Sequence, residues 1–206
     1  ILNHNVAKDL LLVGTLLDCC SSNYDVLFIQ EPLWGVIRSV PSTTDKSRDD
    51  VIGSLIHPRW IHMVRPPDFH APGHCPRVMA YVLKRLEHMR PSMRRDIVDY
   101  HNMLLLSLFE KGGKSYNLLN VYSDDRRTAI NYLDEHSIDF PNLCYMGGDF
   151  NPIEWDPEVS ALGGAAAKLE EFAASVGLEY TPPSNPGPTF YPHNPELRSS
   201  VLDLMF

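Results

Sequence analysis

"NLCYMGGDFNPIEWDP", residues 142–157, runs from apolar side chains through a glycine pair to Asp149 and Asn151, one residue apart. Residues i and i+2 of a strand face the same way, so both polar groups leave the end of a buried strand in one direction. A core strand that ends in two such groups delivers them to the rim of a sheet, where sites are usually built.

The same reading extends along the chain. Strand-like runs recur at 1–6, 25–31, 59–64, 77–83, 103–110, 116–123, 143–150, 188–192 and 199–206. Several are apolar on both faces and so belong in a sheet covered on both sides. Helical spacing appears over 7–21, 125–138 and 165–176, with Ser123, Asp124 and Asp125 as the N-cap and first-turn residues of the second and Gly177 as the C-cap of the third. "EKGGKSY" between two runs reads as a hairpin turn, and it implies antiparallel neighbours. The pattern predicts an α/β fold with mixed sheets in one domain over residues 1–206, with Pro-rich 182–195 as a surface loop.

Composition narrows the classes. The chain has 206 residues, 44% hydrophobic and 21% charged, which is enough for one sizeable core. Its formal net charge of −8 argues against a broad basic face wrapped by nucleic acid. The four cysteines form no CxxC pair and suggest neither zinc nor disulfides, so a reducing, intracellular setting is expected. The apolar stretch "LLLVGTLLDCC" is too short to span a bilayer, and no membrane association is expected. The first residue is Ile and the last run is apolar, so both ends read as cut.

Four strand ends finish in polar groups: Asn5, Glu31, Tyr122, and Asp149 with Asn151. On one rim these residue types suit metal-assisted cleavage of a phosphate ester. A hard cation such as Mg²⁺ takes one or two carboxylates plus water and phosphate, and Glu31 can supply such a ligand. Asp149 can deprotonate the attacking water, Asn151 can hold that water or a phosphate oxygen, and Tyr122 can donate to the phosphate as its charge grows.

In order and spacing, "LFIQEP", "LLNVYS", "GGDFN" and "SSVLD" resemble the endonuclease/exonuclease/phosphatase superfamily, most closely the endonuclease domains of LINE-type non-LTR retrotransposons. The resemblance covers residues 1–206. It implies a four-layer α/β sandwich, with two mixed sheets face to face and helices outside, that nicks DNA with Mg²⁺, or Mn²⁺ in its place. Carried over by motif, Glu31 is the principal metal ligand with Asn5 beside it, Tyr122 contacts the scissile phosphate, Asp149 and Asn151 serve the water, and Asp203 orients a catalytic histidine. A monomer, a reverse transcriptase domain in the same polyprotein and a nuclear setting are implied by the resemblance alone.

That histidine lies on a further strand in the family, within a Ser-Asp-His segment, and none of the nine histidines here follows Asp203. A last strand is therefore expected to be missing. Two further departures are Ala7, where the family offers a second polar side chain on the first strand, and Pro152, Ile153 and Glu154 ahead of Trp155. The alternatives are a truncated or degenerate domain that binds without cutting, and a phosphatase of the same superfamily acting on phosphoinositides or sphingolipids.

Blander roles exist for each residue. Asp149 and Asn151 suit turns, Glu31 suits an exposed strand end, Asn5 suits a loop, and Tyr122 suits packing. A buried Asp203 would need a hydrogen-bond donor. His57, His62, His70 and His74 fit no zinc spacing, and Arg85, Arg90, Arg94 and Arg95 read first as a solvated face and second as phosphate contacts.

Overall fold

The computed structural model describes residues 1–33, 35, 37–42, 49–52, 54–65, 75–150, 164–181 and 203–206. In chain order the elements are β1 (Leu2–Asn5), α1 (Leu10–Cys19), β2 (Val26–Gln30), β3 (Arg38–Pro41), β4 (Asp49–Ile52), β5 (Trp60–Val64) and β6 (Val78–Leu83). There follow β7 (Ser92–Met93), β8 (Met103–Phe109), β9 (Ser115–Ser123), α2 (Thr128–Glu135), β10 (Tyr145–Phe150), α3 (Ala165–Ser175) and β11 (Asp203–Met205).

One sheet has the order β1-β2-β6-β5, and a second has β11-β10-β9-β8-β7. Both are mixed, because β1 runs parallel to β2 and β9 parallel to β10 while the other neighbours are antiparallel. The expected hairpin joins β8 to β9, with Gly112 and Gly113 at φ 113° and 90° in its turn. The short β3–β4 pair stands apart from both sheets.

Alternation sorts the side chains into three apolar layers. Val26 and Phe28 of β2, Val78, Ala80 and Val82 of β6, Leu104, Leu106 and Leu108 of β8, and Leu118 of β9 pack between the sheets. The intervening residues Leu27, Ile29, Met79 and Tyr81 face the other way and meet Val13 and Leu17 of α1. On the far side Leu119, Val121, Met146 and Phe150 meet Ile130 and Leu133 of α2 and Leu169 and Phe172 of α3. The order helix, sheet, sheet, helices is the predicted four-layer sandwich. Each buried Val, Leu or Phe contributes roughly 1.5–3 kcal/mol, so this stacking is the main source of stability.

The glycine pair has a steric cause. A Cβ on Gly148 would overlap the carbonyl oxygen of Val121 on the neighbouring strand. A Cβ on Gly147 would collide with the Tyr145 hydroxyl and come within 2.8 Å of the Asn3 amide nitrogen, both between the sheets.

Local details differ from expectation. Asp9 caps α1, accepting from the N–H groups of Leu11 and Leu12, so the helix begins three residues later than its apolar spacing suggests. Arg127, at φ 58°, is the N-cap of α2, Ser123 still belongs to β9, and Asp124 accepts from Thr128 N–H at 3.0 Å. Buried β9 runs on through Ser123 and takes precedence over a capping role for that serine. Gly177, at φ 82°, closes α3 as its position predicts. The run 188–192 and the 182–195 loop lie outside the described residues. Among the described residues no helix is long and apolar enough to cross a membrane, and all four cysteines are free thiols.

Candidate active site

The layer between the sheets is apolar along most of its length and turns polar at one end. Gln30, the last residue of β2, is fully buried and donates through Nε2 to Asn3 Oδ1 at 2.8 Å and Asn120 Oδ1 at 2.5 Å. Asn120 in turn donates through Nδ2 to the carbonyls of Ile29 and Met79. These amides pin β1, β2, β6 and β9 together, and a buried network of this kind enforces one register. The predicted site residues stand on that floor.

Asn5 Nδ2 donates to Asp149 Oδ2 at 2.6 Å, a bond that crosses from one sheet to the other. Asp149 is only 5% exposed and lies beside Tyr122 in the parallel register of β10 and β9. The Tyr122 hydroxyl donates to Glu31 Oε1 at 3.1 Å. Glu31 follows Gln30, the register partner of Asn5, and so returns the circuit to β1. Four residues from separate parts of the sequence therefore share one rim.

Backbone conformation at this rim is unusual. Ala7, Lys8 and Glu31 have φ of 46°, 65° and 47°, left-handed values that cost a residue with a Cβ roughly 1–2 kcal/mol. They are held by Lys8 N–H to the Glu31 carbonyl and by Glu31 N–H to the Arg77 carbonyl, each at 2.8 Å. Strain of this kind gathers where a side chain must be aimed. Ala7 offers no polar side chain, but its N–H donates to Asn5 Oδ1 at 2.9 Å and orients that amide.

Arg77 is the residue that sequence reasoning missed. Its Nη2 donates to Glu31 Oε1 at 3.0 Å and to the Tyr122 hydroxyl at 2.8 Å, with Cζ 4.6 Å from the centre of the tyrosine ring. Burial pushes the Tyr122 hydroxyl pKa up, and Arg77 pulls against that shift. The phenol stays neutral at ordinary pH and keeps a proton to donate.

Asp203 opens β11 directly opposite Asp149 in the antiparallel register. Its side chain is exposed. Asn151 lies outside the described residues. His57 pairs with Asp18 at 3.2 Å, His62 lies on β5, and His70 and His74 are outside the described residues. Arg85, Arg94 and Arg95 pair with Asp25, Asp96 and Asp99, the solvated face that the sequence suggested.

Among the described residues no three His, Cys, Asp or Glu side chains cluster as a metal cage. The donors present are all oxygens or amides: a strained, aimed Glu31, a buried Asp149 and the amide of Asn5. That set fits a hard divalent cation that keeps several water or phosphate ligands, and it does not suit a soft metal.

Fold and rim together define a four-layer α/β sandwich with polar groups at the ends of facing strands. The chain is similar in fold to the endonuclease domain of TRAS1, a telomere-specific non-LTR retrotransposon, with a TM-score of 0.59 over 98% of this chain and 81% of that one at 15% identity. No family model and no curated protein matches the sequence.

Proposed function

We propose that the chain is a divalent-cation-dependent endonuclease that hydrolyses DNA phosphodiesters, of the kind that nicks target DNA for a retrotransposon. The observation that carries this reading is the gathering of Asn5, Asp149, Tyr122 and Glu31, four polar groups brought to one rim by strands of two sheets. A TRAS1-type fold around that rim supports it.

Glu31, with Asn5 nearby, would hold the cation, Mg²⁺ or Mn²⁺. Bound there, the cation supplies charge stabilisation to the phosphate and acidifies coordinated water. Asp149, one oxygen fixed by Asn5, takes the proton of the attacking water as its oxygen bonds to phosphorus. Asn151 positions that water. The Tyr122 hydroxyl donates to a non-bridging oxygen as negative charge builds and the bond to the leaving deoxyribose oxygen breaks, that oxygen taking a proton from solvent water. Asp203, opposite Asp149 in the register, would orient a proton-transfer partner. DNA is the substrate in this reading, the working unit is a monomer, and a reverse transcriptase domain is its natural companion in a nuclear setting.

The test is conversion of supercoiled plasmid to the open-circular form in Mg²⁺. The wild-type chain nicks and Asp149→Ala does not. Intact plasmid with the wild type, or equal nicking by the variant, would overturn the reading.

A further inference from the structure

Arg77 brings a fixed positive charge to the carboxylate that the proposed function assigns to the cation. Its main chain is tied into the Glu31 turn, with its N–H donating to the His101 carbonyl at 2.9 Å and its carbonyl accepting from Glu31 N–H. Its side chain is 30% exposed and that of Glu31 is 20%, so the pair is partly shielded and more strongly held than a surface pair. Yet the fit is incomplete: Arg77 Nε is buried without a hydrogen-bond partner. A buried, unmatched donor carries a free-energy cost, and a rearranged guanidinium would relieve it.

We propose that Arg77 competes with the divalent cation for Glu31 Oε1 and, once displaced, transfers its guanidinium to a phosphate oxygen of the DNA. This rests on the nuclease reading and adds the means by which the site couples cation to substrate. A guanidinium and a dication on one carboxylate oxygen repel each other, so the arrival of one loosens the other. The planar fork of Arg matches phosphate geometry, and the unmatched Nε gives it donors to spare. Coupling of this kind is reciprocal: phosphate that draws Arg77 away strengthens cation binding, and the cation strengthens phosphate binding.

Calorimetric titration with Mn²⁺ tests the competition in wild type, Arg77→Met, Arg77→Lys and Glu31→Gln, each checked for folding by circular dichroism. Arg77→Met tightens Mn²⁺ about tenfold, an outcome that simple structural damage does not produce. Arg77→Lys keeps the charge and stays within about threefold of wild type. Fluorescence anisotropy with a phosphorothioate duplex in Mn²⁺ then shows Arg77→Met binding DNA about tenfold more weakly. Unchanged or weaker Mn²⁺ binding by Arg77→Met, beside a clear loss in Glu31→Gln, overturns the competition and leaves the nuclease reading standing. Unchanged duplex affinity in Arg77→Met overturns the transfer to phosphate. Full Mn²⁺ affinity in Glu31→Gln removes the cation site itself.

Discussion

Asn5 Nδ2 and Asp149 Oδ2 lie 2.6 Å apart although 144 residues separate them along the chain. The bond joins the first strand of one sheet to the penultimate strand of the other, at the end where the layer between them turns polar. It aims a nearly buried carboxylate, and that aim is the basis of the role given to Asp149.

Asp149→Asn keeps the size of the side chain and removes its basicity, so nicking falls by about 10²–10⁴. Asn5→Ala removes that one bond to the carboxylate and costs less. Because the two act through one bond, the double variant falls short of the product of the single losses. Initial nicking rates for the four proteins measure the coupling.

The glycine pair sets a stability prediction with a built-in ranking. Gly148→Ala meets the Val121 backbone, which cannot step aside without breaking the β9–β10 ladder, whereas Gly147→Ala meets side-chain ends. Urea denaturation therefore shows Gly148→Ala as the more damaging change, by more than about 3 kcal/mol. Equal or smaller loss at Gly148 would contradict the packing described.

Burial pushes the Tyr145 hydroxyl from its ordinary value of 10.0 up to about 12. The folded state therefore prefers the neutral phenol, and the stability this adds is complete below pH 10 and lost as pH rises toward 12. Melting temperatures decline across that window in the wild type, and Tyr145→Phe declines less steeply.

Asn120 binds two backbone carbonyls and the Gln30 amide in a site with no exposure. Asn120→Ala strands those groups and costs about 2–4 kcal/mol in chemical denaturation. The β2–β6 register loosens with it, seen as faster amide exchange at Ile29 and Met79.

Much of this was legible in the sequence because strand alternation is a short-range rule. "GGDF" and "NVYS" place Asp149 and Tyr122 on the inward face of adjacent strands, and the apolar runs of β2, β6, β8 and β9 announce the buried sheets. What stayed hidden depends on distant partners. Arg77 reads as an ordinary charge at the mouth of a strand, and only the fold reveals that its guanidinium meets Glu31 and Tyr122. The left-handed backbone of Glu31 has no residue signature, since Gly or Asn would be its usual mark. β3 and β4 went unseen because Pro41, Asp49 and Asp50 are poor strand formers, and pairing with each other sustains them.

Titrating Mg²⁺ into a plasmid-nicking assay with wild type and Glu31→Gln tests the central claim most directly, that one cation-dependent phosphodiesterase site joins Glu31 to Asp149. Wild-type nicking rises with Mg²⁺, stops with EDTA, and in Glu31→Gln needs at least about tenfold more metal. Nicking that ignores both EDTA and the Glu31 substitution would contradict that claim.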